Sequence, residues 1–147
     1  MGRPVSFEDG VEVRAGAGSA LVVDAYWEGM ALHDFLSKVA LLLDADVDDL
    51  AYLGDLDNGG ERGAGLAVLR KALRVARARG YTLVVQARSE SGDDADQGRL
   101  RTWYERTGLL KHVPGASAGR FLSNVFYDAA CVGGVRSCKS GKPRSSR

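Results

Sequence analysis

The chain has 147 residues, 45% of them hydrophobic and 27% charged, with a formal net charge of +1. That suits one domain with a proper core and excludes a wholesale basic nucleic-acid binder. No apolar run approaches the roughly 20 residues that a membrane-spanning helix needs. The charge is unevenly spread. Gly134 to Arg147 holds five basic residues (Arg136, Lys139, Lys142, Arg144 and Arg147) and no acid, so the rest carries 15 basic against 19 acidic residues. The N-terminus lacks the charged-then-apolar pattern of a secretory signal, and a cytoplasmic location is expected. Cys131 and Cys138 are too few for a disulfide framework. Their spacing is not Cys-x-x-Cys and no histidine lies near them, so they read as ordinary thiols with no bound metal.

In chain order, residues 1 to 10 read as a loose lead-in. Val11 to Ala15 and Ala20 to Trp27 read as strands around a turn at Gly16-Ala17-Gly18-Ser19. Leu32, Phe35, Leu36, Val39, Leu42 and Leu43 recur at helical spacing and predict a helix over about 31–45, although Val39 to Leu43 also suits a strand. Asp44 to Asp49 is an acidic turn, and Leu50 to Leu56 a strand. Glu61 to Ala67 is a Gly-rich stretch opening into a helix. Leu66, Leu69, Leu73 and Ala76 line one face of it, with Val68, Ala72 and Val75 widening the stripe. Arg70, Lys71, Arg74 and Arg77 cover the other face, and Gly80 supplies the stop. Thr82 to Ala87 follows at once as a buried strand, so the unit implies parallel strands joined by a right-handed crossover. Ser89 to Asp96 reads as a polar acidic loop and Gln97 to Thr107 as a helix with Leu100, Trp103 and Tyr104 on one face. Gly108 ends it. Leu109-Leu110 and Arg120 to Tyr127 read as closing strands around a turn at Pro114-Gly115. From Val132 onward the composition is that of a disordered basic tail.

The Gly-rich stretch is the most informative feature. A helix start leaves several backbone N–H groups without intrahelical partners, and the positive end of the helix dipole adds to their pull on an anion. Small residues let a phosphate come close to the backbone. A phosphorylated ligand is therefore expected at Glu61 to Ala67. Arg14-Ala15-Gly16-Ala17-Gly18 has a similar composition but leads into a strand.

The order of strand, Gly-loop, helix, strand, helix with an aromatic pair, glycine and closing strands resembles the second half of the GNAT family of N-acetyltransferases. The family's acyl-CoA signature, Gln/Arg-x-x-Gly-x-Gly/Ala, is matched by Arg62-Gly63-Ala64-Gly65-Leu66-Ala67. A second signature, an aromatic residue, Tyr, three residues, Gly and an apolar residue, is matched by Trp103-Tyr104-Glu105-Arg106-Thr107-Gly108-Leu109. The likeness covers about Leu50 to Tyr127. It implies an α/β (α+β) fold with a mixed, mostly antiparallel central sheet flanked by helices, as one acyl-CoA N-acyltransferase-like domain over 1–131 followed by the tail at 132–147. Residues 1 to 49 depart from it, because the family has two helices before a three-strand meander and one candidate helix is found here. The Asp57 to Glu61 connection is also slightly long, Glu61 sets a negative charge beside the expected phosphate, and Leu109 replaces the commoner phenylalanine.

What the resemblance implies is an acetyl-CoA-dependent transferase acting on an amine by direct attack. Backbone N–H groups of Arg62, Gly63, Ala64, Gly65, Leu66 and Ala67 would hold the diphosphate, with the Arg62 guanidinium assisting. The pantetheine arm would enter between Leu53 to Leu56 and Leu83 to Ala87, where an N–H near Leu56 would polarise the thioester carbonyl. Tyr104 would protonate the leaving thiolate. Among Asp55, Asp57 and Glu61, Asp55 is the preferred base. Ser89 and Ser91 are further candidates for the CoA arm, whereas Trp103, His33 and His112 read as packing, surface or structural residues. The alternative is a non-catalytic relative serving as a binding or regulatory module. The tail is the one feature suited to nucleic acid or an acidic partner. The acceptor amine and the oligomeric state, a homodimer included, are not readable from the residues.

Overall fold

The computed structural model describes residues 10–27, 32–87, 94–113 and 124–131. Strand β1 is Val11–Ala15 and β2 is Gly18–Asp24, paired antiparallel through a turn at Gly16 and Ala17. The second strand begins and ends earlier than its composition suggests. The Asp24 carboxylate accepts the Tyr26 N–H at 2.9 Å, so the chain turns there and leaves Tyr26 and Trp27 outside the strand.

Helix α1, Leu32–Leu43, buries Leu32, Phe35, Leu36, Val39, Ala40 and Leu43. The helical reading of this segment holds and the strand reading does not. Leu42 is the exception in the expected stripe and stays part-exposed. A 3-10 turn at Val47–Asp49 then feeds β3, Leu50–Asp57. Helix α2, Ala64–Ala78, buries Ala64, Val68, Leu69, Ala72, Leu73 and Ala76. The centre of its apolar stripe lies on Val68 rather than Leu66, which is half-buried. Gly80, at φ 83°, closes the helix. The Tyr81 N–H reaches the Ala76 carbonyl at 2.9 Å and the Gly80 N–H the Arg77 carbonyl at 3.0 Å, which is a Schellman stop.

Strand β4 is Thr82–Gln86 and α3 is Asp94–Thr107. The helix starts three residues before the expected Gln97, taking in Asp94 and Asp96 from what reads as a loop. Strand β5 is Lys111–His112 rather than Leu109-Leu110, and β6 is Val125–Tyr127. The Pro114-Gly115 turn, Ser89, Ser91 and the tail from Val132 lie outside the described residues.

The six described strands form one sheet in the order β1-β2-β3-β4-β6-β5. Only β3 and β4 pair in parallel; the other neighbours are antiparallel. The mixed, mostly antiparallel sheet is thus as expected. Alternation along the strands sends Val22, Ala51, Leu53, Leu83, Val85 and Phe126 to the α2 and α3 face. It sends Val23, Leu50, Val84, Val125 and Tyr127 to the α1 face. Helices therefore cover both faces of the sheet. No helix among the described residues is long and apolar enough to cross a membrane.

Candidate functional site

The ladder between β3 and β4 is short. It joins Leu50 to Thr82, Ala51 to Leu83 and Tyr52 to Val84, and then stops. Beyond it β3 continues against β2, with Leu53 opposite Val22 and Gly54 opposite Leu21. Strand β4 continues against β6, with Val85 opposite Phe126 and Gln86 opposite Val125. The two strands part company at Leu53 and Val85, inside the stretches named from the sequence.

The register of β3 slips just past this point. Ser19 faces Asp57 while Leu21 faces Gly54, so Asp55 and Leu56 together oppose Ala20. Asp55 sits at φ 56°, in the left-handed region. This is a β-bulge with its first residue left-handed, a conformation that Asp tolerates better than most residues. The bulge re-aims the backbone at Asp55 and Leu56 where the ladder has ended. Leu56 is half-buried against the α2-side core. Asp55 is exposed, and no described residue pairs with its carboxylate.

From Asp57 the chain enters the loop that precedes α2. The Asp57 carboxylate accepts the Gly59 N–H at 3.0 Å, and the Asn58 side chain accepts the Gly60 N–H at 2.8 Å. Glu61 reaches across to the β1–β2 turn, where its carboxylate accepts the Ala17 N–H at 2.8 Å. Its charge is therefore bonded to the hairpin, away from the role anticipated beside the helix start. Gly59 explains why this loop follows one path: at φ +63° it lies so close that a Cβ would stand 2.0 Å from the Ala17 carbonyl oxygen. With Asp57 and Glu61 both occupied in this way, Asp55 remains as the uncommitted carboxylate.

Helix α2 begins without a side-chain cap, with Gly63 at φ 86° and ψ −14° as its N-cap residue. Two of the expected donors are used within the protein: the Ala64 N–H bonds the Glu61 carbonyl and the Ala67 N–H the Gly63 carbonyl, both at 3.2 Å. Among the described residues, the N–H groups of Arg62, Gly63, Gly65 and Leu66 meet no acceptor. Arg62 and Gly63 are exposed, while Gly65 and Leu66 are half-buried. Nothing lies within 4 Å of where a Cβ would stand on Gly60 or Gly63. The donor set is thus four amides, an arginine and open space, which fits an anionic group.

Helix α3 is tied to this corner through Trp103. A Cβ on Gly65 would lie 3.6 Å from the Trp103 ring. Trp103 in turn meets Tyr104 edge-on at 4.9 Å between centroids. Tyr104 stacks on Phe126 at 5.6 Å and is only 3% exposed. No described residue hydrogen-bonds its hydroxyl. Burial raises its pKa above the usual phenol range, and the Tyr52 phenol raises it further. Tyr52 belongs to the last rung of the β3–β4 ladder, so the two phenols approach from opposite faces where the strands separate.

The structure therefore brings the α2 start, Trp103 and Tyr104 into one neighbourhood and places Leu56 on the strand leading to it. Among the described residues no hydrogen bond or ion pair joins the Asp55 carboxylate to Tyr104 or to any other group. Sequence reasoning missed Tyr52 and the Glu61–Ala17 bond; neither carries a local signal. His33 and His112 are exposed. Among the described residues no group of three His, Cys, Asp or Glu is placed to hold a metal ion. Comparison with protein-family models, with curated proteins and with solved structures found no match.

Proposed function

We propose that the chain is an N-acetyltransferase that takes its acetyl group from acetyl-CoA and passes it to an amine. The observation that carries this reading is the coincidence of an uncapped helix start with a parallel ladder that stops after three rungs. A phosphate would find donors at the first, and an extended arm attached to it would find strand backbone without a ladder partner across the seam at the second. The sheet order, in which β6 lies between β4 and β5, is compatible with the GNAT-like reading.

In this reading the amides of Arg62, Gly63, Gly65 and Leu66 bind the diphosphate, and the backbone at the Asp55–Leu56 bulge orients the thioester. Acetyl-CoA supplies an acyl carbon activated by its bond to sulfur. Asp55 takes a proton from the amine as the new N–C bond forms. Tyr104, still protonated because it is buried, gives its proton to the sulfur as the C–S bond breaks. No covalent bond to the protein is needed.

Titration calorimetry with acetyl-CoA, CoA and inorganic pyrophosphate tests the reading. Both coenzyme forms should bind with one site per chain and raise the unfolding temperature. At 100 times Kd, stabilisation should be about 2.7 kcal/mol. Neither heat nor thermal shift at millimolar coenzyme would sink the proposal, and equal affinity for pyrophosphate would reduce the site to a general anion cradle.

Gly65→Ala separates stability from binding. A Cβ there meets Trp103 and Asn58 only at ordinary contact distances, 3.6 and 3.7 Å. Alanine should therefore strengthen the helix by up to about 1 kcal/mol. Because a helical Cβ tilts toward the N-terminus, the same methyl stands beside the free donors. Coenzyme affinity should fall by about tenfold, or ~1.4 kcal/mol. A variant that is both less stable and an undiminished binder would contradict this picture.

A further inference from the structure

We infer that residues 132–147 dock in an acidic, leucine-edged groove beside α1 of the same chain. The groove holds about 480 Å³ and is lined by Ser37, Leu41, Asp44, Asp46 and Val47, among others. It lies at the C-terminal end of α1, on the face of the sheet away from α2 and α3, and shares no residue with the site above.

Two properties mark it. Leu41, which lines it, is 82% exposed, and the next residue on the helix, Leu42, is 37% exposed. The surrounding charge is also predominantly acidic. Asp44, Asp46 and Asp48 are exposed here against Lys38, one turn back on α1, and the last turn of α1 has no basic residue. A helix C-terminus already carries roughly half a negative charge, which cations normally offset. The groove thus asks for an occupant that is basic and partly apolar.

A second copy placing the same face against itself would bring acid to acid. The segment after Cys131 has the opposite character: five basic residues, no acid, and Val132 and Val135 near its start. It also departs from the correct face, since Ala129, in the 3-10 turn Ala129–Cys131, packs against the same core cluster as Ala45 and Val47. Sixteen extended residues span up to about 55 Å, against a radius of gyration of about 15 Å for a domain of this size. A tether that short holds the tail at an effective concentration in the millimolar range, so a weak contact suffices.

Zero-length carbodiimide coupling of the full chain tests the inference. Unlabelled and ¹⁵N-labelled chains are mixed in dilute solution and the products are mapped by mass spectrometry. Lys139 or Lys142 should couple to Asp44, Asp46 or Asp48 within one isotopic chain, and high salt should lower the yield. Leu41→Arg adds no reactive amine, removes the apolar edge and repels a basic tail. It should cut the yield by about tenfold while leaving thermal unfolding unchanged, because Leu41 faces solvent. Leu41→Gln should act in the same direction without the charge. Links scattered evenly over the surface acids, links found only between light and heavy chains, or a yield indifferent to both variants would overturn the inference.

Discussion

Tyr104→Phe is expected to lower turnover by about 10²- to 10⁴-fold, the usual range for a positioned acid, with coenzyme affinity nearly unchanged. The ring is held by Phe126 and Trp103, and phenylalanine keeps both contacts. The hydroxyl has no hydrogen bond to a described residue, so its removal strands no partner among the described residues. Steady-state kinetics should therefore show a loss in kcat with little change in KM. A protein that only binds the coenzyme would have no turnover to lose. Full activity in the variant would remove Tyr104 from the mechanism.

The same variant has a signature in stability. The folded protein holds the phenolic proton more tightly than the unfolded chain, because burial and Tyr52 raise the pKa. That contribution is complete below about pH 10, the ordinary phenol value, and is lost as pH rises from there toward the folded value. Wild type should lose about 1.4 kcal/mol per pH unit above pH 10 relative to Tyr104→Phe. Urea titrations of the pair at pH 9 and pH 11 read the difference directly, and parallel behaviour would show that the phenol is not buried.

Arg77→Ala is expected to destabilise the fold by about 3 kcal/mol. Arg77 grips Asp128 with two hydrogen bonds, Nε to Oδ2 at 2.6 Å and Nη2 to Oδ1 at 2.8 Å. Asp128 is 1% exposed and Arg77 38% exposed. Removing the guanidinium leaves the buried carboxylate with the Ala130 N–H, at 3.2 Å, as its remaining hydrogen bond among those described. Breaking a buried pair costs about 3–5 kcal/mol, and the part-exposed arginine places this one at the low end. At roughly 2–4 °C per kcal/mol for this chain length, the midpoint should drop by about 6–12 °C. Replacing both partners, as in Arg77→Met with Asp128→Asn, should recover most of the loss, because no charge is then left unpaired. A single variant as stable as wild type would mean that water compensates the carboxylate.

Local pattern made much of this legible. The spacing of Leu69, Leu73 and Ala76 and the stop at Gly80 define α2, and the parallel β3–β4 pairing follows from the absence of a hairpin between them. The bounds of β1 also follow from composition. What was not legible depends on distant pairs. Glu61 meets Ala17 across 44 positions, and Arg77 meets Asp128 across 51. Arg77 reads as one more cation on a solvated face, because nothing nearby in sequence shows that a buried acid waits beyond β6. The bulge at Asp55 is hidden for another reason: it exists only relative to β2, and a strand read alone has no register. The donor stretch at the α2 start was legible as a whole, but not which amides in it are already engaged. That depends on how the chain turns at Glu61 and Gly63.

The sheet is best regarded as two leaves of three strands, β1-β2-β3 and β4-β6-β5, stitched by three rungs. Few backbone bonds cross that seam, so much of the work of holding the leaves at a fixed angle falls to the helices laid over it. Anything that wedges into the unstitched end touches both leaves at once. Its binding and the setting of their angle are then a single equilibrium, in which whatever binds there also stiffens the frame.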